Sequence, residues 1–529
     1  LHRGVQKGRP ASCYVMQPFE VERGSFGSLP ADAARRESRM FFETDGSFAA
    51  SKVRSMREES SEEVGNALLS AFTNTTNTIL GAGTLAVPIA MSSAGFIAYI
   101  LMTLVVIRVH STTVNWLVMV ADQLPKGVAK NYEGITQEYL GTTAAHVISA
   151  VFIFGGLSLG MSRMMFTSRS LAPVLASWFS EEGQPSIKEI RALEFKLMWA
   201  CGLFIVLPLG LLRDISKLRF ASGLAIAALT FAAGFMVFCN VSDLATTKQM
   251  GPGVQWMNFE SSFFLSLAMT TSNFSCHIAA MPIYESLGVQ RTSRKMRWVV
   301  LAAMGTAAIV YQLVGLTSYA RFGHLDSADG SNILEVVAEH INRKRSPAKF
   351  ALVSVASAGM AISLVFGMPV VLWALRSVLL SYYRSARATQ ARWAGKALEQ
   401  IQETQHAVPS FVEWAIVTTF IVFAILVLAT AVPDIQVVMS FGGSLGGTFI
   451  AFMYPALFHL KVVKGVSLRD SLKRQNAAEL GIIAMSIVYG VLCLSISINK
   501  IVRIYGASEE EPSESSLNTT SNVMVIIDD

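Results

Sequence analysis

An all-α polytopic membrane protein is the fold class this sequence predicts, on three observations. Of the 529 residues, 52% are hydrophobic and only 15% charged, with a mean hydropathy of +0.46; a soluble domain carries about a quarter charged residues. The apolar residues fall into eleven runs, each near the ~20 residues a helix needs to cross the hydrocarbon core. The basic residues behind the net charge of +6 lie between those runs, so membrane topology accounts for them and no nucleic-acid partner is expected. Five scattered cysteines without CxxC or metal-ligand spacing predict no disulfide framework and no metal site.

The runs lie near 67–90, 96–120, 144–178, 195–212, 219–240, 259–285, 298–321, 348–375, 411–432, 435–460 and 479–502. The third is too long for one perpendicular crossing and is expected to tilt or project from the bilayer. Only Val432, Pro433 and Asp434 separate the ninth and tenth; Pro433 breaks the helix there. Eleven spans put the termini on opposite faces. A cytoplasmic N-terminus places 29 Lys and Arg on its side and 8 on the other, the expected bias. Residues 1–65, with RRES at 35–38 and EESSEE at 58–63, read as a disordered cytoplasmic tail, where a phosphorylation site would be regulatory. Residues 66–503 form the transmembrane domain. Residues 504–529 form a short acidic lumenal or extracellular tail with a glycosylation sequon at Asn518-Thr519-Thr520. The chain starts at Leu1 rather than Met and lacks a signal-peptide apolar core in its first 65 residues, which reads as a trimmed gene product.

Polar residues inside hydrocarbon are costly and survive where protein or a water-filled cavity surrounds them. The first span, NTTNTILGAGTLAVPIAMSSAGF, carries Asn74 to Asn77 and then Gly81, Ala82, Gly83 and Thr84. The sixth reads TTSNFSCHIAAMPIYESL, with Asn273, Phe274, Ser275, Cys276 and His277 before Pro282. These are the first members of two sets of five, and paired interrupted helices at matching places point to a midplane binding site. The glycines alone would equally serve close helix packing. A helix unwound around Gly81–Thr84 frees backbone N–H groups, and the half-helix that follows presents its positive end to a carboxylate. Freed carbonyls and Asn77 would hold a cation or an ammonium group. Arg163 lies nearest the middle of the third span and is the candidate for a cavity-facing charge; Arg108 and Arg169 fit snorkelling as well. His277 either carries protons or is a neutral hydrogen-bonded residue of the break.

These stretches resemble the amino acid/auxin permease family, which includes system A/N-like and vacuolar amino acid transporters. The likeness covers nearly all of 65–502. It rests on the first span, NYEGITQEYLG at 131–141, LPLGLLRDISKLRFASG at 207–223, FSCHIAAMPIYESL, YQLVGLTSYARFGH at 311–324 with Asn332-Ile333-Leu334, and PDIQVVMSFGGSLGGTFIAFMYPALFHLK at 433–461. The resemblance implies a LeuT-like 5+5 inverted repeat plus one extra helix, and secondary transport of amino acids by alternating access. The candidate substrate contacts are Gly81, Ala82, Gly83, Thr84, Asn273, Phe274 and Cys276; the candidates for ion or proton coupling are Asn77, which matches the family's ion-site Asn, and Ser363, His277 and Arg163.

One departure bears on the coupling ion. Sodium-coupled members carry hydroxyl residues just before a Pro in the eighth helix; here ISLVFGMPVVLWALR has Pro369 and Arg376 in register, preceded by Val365, Phe366, Gly367 and Met368. Ser363 is the nearest hydroxyl. A proton-coupled or uncoupled cycle is therefore expected over a sodium-coupled one. The deep spans hold no carboxylate for a cationic substrate, and Phe274, Ala279 and Met281 suit a neutral amino acid. No HExxH cluster, nucleotide-binding loop or metal spacing points to an enzyme, and no cofactor is expected; nor is a channel's ring of charges present. An amino acid sensor signalling through the N-tail shares the same site. The membrane is the plasma membrane or a vacuolar/lysosomal one.

Overall fold

The computed structural model describes residues 65–125, 131–180, 185–212, 219–288, 291–325, 333–341, 346–393, 410–432, 434–466 and 473–506. Among them every regular element is helical. Residues 1–64 and 507–529, which hold nearly all of both expected tails and the sequon, lie outside the described residues, as does Pro433.

The first span is two helices. One is described from residue 65 and ends at 79 (α1); after Leu80 and Gly81 a second runs Ala82–Ala94 (α2). Then follow Phe96–Gln123 (α3), Tyr132–Leu140 (α4), Thr142–Phe179 (α5), Ile187–Leu211 (α6, with one π-helical turn at Gly202–Val206) and Arg219–Thr247 (α7). The sixth span is again split, into Ser261–Asn273 (α8) and His277–Ser286 (α9). Beyond it come Ser293–Phe322 (α10), Ile333–His340 (α11), Pro347–Phe366 (α12) and Met368–Trp393 (α13). Phe411–Ala431 (α14), Ile435–Val463 (α15) and Ala477–Gly506 (α16) complete the order.

Among the described residues, nine of these stretches are long and apolar enough to span a bilayer, α12 and α13 counting as one through Arg384. The two other expected spans are the interrupted ones. The expected long third span is α5, 38 residues with Pro173 inside it. NYEGITQEYLG folds as α4, capped by Asn131, whose Oδ1 accepts the Gly134 amide at 2.7 Å; Tyr132 ties it to the bundle through the Ile450 carbonyl, 2.8 Å away.

The position of the first break corrects the sequence expectation. Only Leu80 and Gly81 leave the helix, whereas Ala82, Gly83 and Thr84 already form the first turn of α2. Chain direction explains the shift: the Thr84 amide donates back to the Gly81 carbonyl at 3.1 Å, so the new helix starts as soon as Gly81 has turned the backbone. All 13 residues of α2 are buried. A helix buried on every side is one that protein surrounds.

The halves α2 and α8 lie side by side and antiparallel. Ser262 donates to the Ser93 carbonyl at 3.1 Å, Ser266 to the Ala90 carbonyl at 2.6 Å, and Asn273 stands against Gly83. As the number rises on one helix it falls on the other. Serine hydroxyls that use the partner helix's carbonyls let the two backbones approach closely in a low-dielectric interior. The two interruptions, five spans apart in the chain, thereby come to one depth in opposite chain directions, as an inverted repeat requires.

Candidate functional site

Where α1 stops, its last carbonyls lack intrahelical donors. Tyr311, from α10, satisfies one of them: its hydroxyl donates to the Ile79 carbonyl at 2.7 Å. The same hydroxyl sits over Gly83. A Cβ on Gly83 would stand 2.5 Å from Tyr311 Oη and 2.9 Å from both Cγ and Oδ1 of Asn273, so only glycine fits this crossing. Gly81 is under less constraint: a Cβ there would meet Arg163 Nη2 at 3.6 Å, an ordinary contact.

The second break spans Phe274, Ser275 and Cys276. Phe274 packs edge-on to the Tyr311 ring, with centroids 5.3 Å apart, and is fully buried. One aromatic pair therefore joins both breaks through α10. Beyond it the chain turns away: His277 opens α9 with Nε2 2.8 Å from the Thr113 hydroxyl of α3, its ring 5.0 Å from that of His110. Cys276 caps α9 and is buried.

Helix ends of opposite polarity meet here. The N-terminus of α2 carries partial positive charge, and the C-termini of α1 and α8 carry partial negative charge. A zwitterion matches that pattern, carboxylate toward the α2 amides and ammonium toward the carbonyl ends. Polar atoms without a protein partner lie on residues of this crossing and its adjoining turn: Thr84 Oγ1, Asn273 Nδ2 and Arg163 Nε are all buried and unpaired. Each is costly in a dry interior unless a polar ligand or water pairs it.

The candidates read from the sequence thus divide. The structure brings Gly81, Gly83, Asn273, Phe274 and Arg163 to one locus, with the buried Ala82 and Thr84 in the adjoining helical turn. Cys276 and His277 instead begin α9, with His277 turned to α3. Asn77 is half-buried near the end of α1, and Ser363 is buried in α12, where its carbonyl accepts the Gly367 amide at 3.1 Å. Sequence reasoning missed Tyr311 and Thr113 as participants. Tyr311 opens the YQLVGLTSYARFGH stretch, and a tyrosine that deep in an apolar run was the available signal. Nothing local marked Thr113, since its partner is 164 positions away.

The other intramembrane arginines are engaged elsewhere. Arg169 faces Glu194 at 3.9 Å, Arg321 pairs with Asp243, and Arg108 contacts the Thr112 hydroxyl on an exposed face. Arg376 donates to the Gly210 carbonyl at 2.8 Å and to Thr418 at 2.9 Å, with its guanidinium over the Trp414 ring; it anchors α13 to α6 and α14. Among the described residues, no group of three or more His, Cys, Asp or Glu is placed to hold a metal ion.

Known proteins share this sequence pattern. Residues 65–501 match the family described as transmembrane amino acid transporter protein. Sodium-coupled neutral amino acid transporter 7 of Xenopus laevis is 24% identical over 394 residues, covering 73% of this chain and 79% of its own. Human solute carrier family 38 member 8 is 25% identical over 390 residues, covering 72% and 81%. Among solved structures, a mutant manganese transporter of Eremococcus coleocola aligns with 86% of this chain and 91% of its own, at 10% identity and a TM-score of 0.48. An integral, multi-pass transporter rather than an enzyme is what this family membership establishes, and the chain belongs to the transmembrane amino acid transporter family.

Proposed function

We propose that this chain moves neutral amino acids by alternating access, holding the substrate's charged backbone between the breaks at Leu80–Gly81 and Phe274–Cys276. The observation that carries the reading is the close crossing of Gly83 with Asn273 and Tyr311 amid buried, unpaired polar atoms. The substrate's carboxylate meets the first-turn amides of α2, and its ammonium meets the carbonyl ends of α1 and α8. Phe274 and Met281, both buried, and the half-buried Ala279 give the side chain apolar surroundings, which favours a neutral substrate over a charged one.

The coupling ion divides two readings. The name of the Xenopus laevis relative records sodium coupling for that protein. Against sodium here stands the stretch Val365–Met368, which offers no side-chain oxygen where a hard cation needs several. We favour a proton-coupled or uncoupled cycle, with His277 and its Thr113 partner as the candidate proton carrier. The basic-residue asymmetry supports a cytoplasmic N-terminus, in the plasma membrane or a vacuolar/lysosomal membrane. Uptake of a panel of labelled amino acids into proteoliposomes, with and without sodium and across a pH gradient, tests substrate, coupling and transport together. Strict sodium dependence would overturn the coupling argument, and substrate binding without flux would assign the chain to the sensor reading.

A further inference from the structure

Arg163 stands between the break of the first span and the end of α12. On one side its Nη2 lies 3.6 Å from the Cβ position of Gly81, just past the last carbonyls of α1. On the other, Nη1 points to the Leu364 carbonyl in the last turn of α12, 3.5 Å away. Carbonyls at a helix C-terminus lack intrahelical donors and carry partial negative charge. The end of α12 offers such carbonyls to a cation, beside the break in the first span. Among the described residues no carboxylate forms an ion pair with Arg163, and its Nε is buried without a partner. The Leu364 carbonyl faces its charge.

Gly367 supplies the second observation. Its φ of −78° suits any residue, so conformation does not call for glycine. Contact does bear on it: a Cβ at 367 would overlap Arg163 Nη1 as the guanidinium now lies. A side chain at this position would displace the guanidinium from where it lies. The lack of a side-chain oxygen at Gly367 and the place of Arg163 are therefore linked.

We propose that the Arg163 guanidinium is a tethered cation between the break of the first span and the C-terminal end of α12, supplying the positive charge that a bound sodium ion would otherwise supply there. Because it cannot leave, transport needs no sodium. The inference rests on the transporter reading above and deepens its coupling argument.

Wild type, R163A, R163K and R163A/G367S in proteoliposomes, assayed in sodium and in choline, test it. Wild-type uptake is expected to change less than about twofold between the two cations, and R163A to fall ~10-fold or more in choline. R163K keeps sodium-independent uptake. R163A/G367S regains uptake in sodium but not in choline, and sodium raises its thermal unfolding midpoint. Four results overturn the proposal: wild-type uptake abolished in choline; R163A matching wild type in choline; equal loss in R163K and R163A; or R163A showing only a raised KM with no sodium response in the double variant. The last would make Arg163 a substrate-carboxylate ligand. Where the double variant does not fold, the R163K and R163A pair decides alone. Folded wild type that takes up no amino acid at all sinks the transporter reading instead, a result distinct from these.

Discussion

The two interrupted spans reach one functional shape by different means. In the first, glycine removes side chains: Gly83 lets α2 lie against Asn273 and the Tyr311 hydroxyl. In the second, polar and aromatic side chains fill the gap. Asn273, Phe274 and His277 reach Gly83, Tyr311 and Thr113 respectively, and no glycine occurs between Ser261 and Ser286. One break offers backbone and the other offers side chains. Together they suit a small ligand whose charged end is invariant and whose side chain varies.

Substitutions can break this comparison or sharpen it. The largest effect is expected from Gly83→Ala, since its added methyl meets both Tyr311 and Asn273. Uptake should fall ~100-fold, the scale of a misplaced binding geometry, while size-exclusion behaviour stays that of the folded protein. Near-normal uptake would remove Gly83 from the site. Next comes Tyr311→Phe, which leaves the buried Ile79 carbonyl without its donor. A loss of about 1–3 kcal/mol is expected, read as a lower thermal unfolding midpoint together with slower uptake. Thr113→Val removes the hydroxyl beside His277 and should cost about 0.5–1.5 kcal/mol. Uptake measured against pH shows whether it does more: a profile superimposable on wild type takes the Thr113–His277 pair out of any proton path. The smallest effect belongs to Gly81→Ala, whose methyl makes only an ordinary contact with Arg163 and should leave uptake within about twofold. If Gly81→Ala were the more damaging glycine change, the contrast between the two positions would be inverted.

The breaks were legible because membrane chemistry punishes polarity so heavily. Asn and Thr followed by Gly81 and Gly83 in one apolar run, and Asn273 to His277 in another, stand out against hydrocarbon without any structure. Their geometry was not legible. By sequence Gly81 and Gly83 look alike, yet one turns the chain and the other makes room for two distant side chains. Arg163 was visible as an intramembrane charge, but its neighbours, Gly81 and Gly367, lie 82 and 204 positions from it.

Hydropathy by itself determined the helical class, the approximate spans and which two are interrupted, since a bilayer acts on each segment through its own composition and length. The pairing of α2 with α8, the Tyr311 bridge and the lodging of Arg163 between Gly81 and α12 were decided only in the folded bundle. Those contacts join residues far apart in sequence, and in hydrocarbon they depend on close packing and partner hydrogen bonds that no single segment encodes.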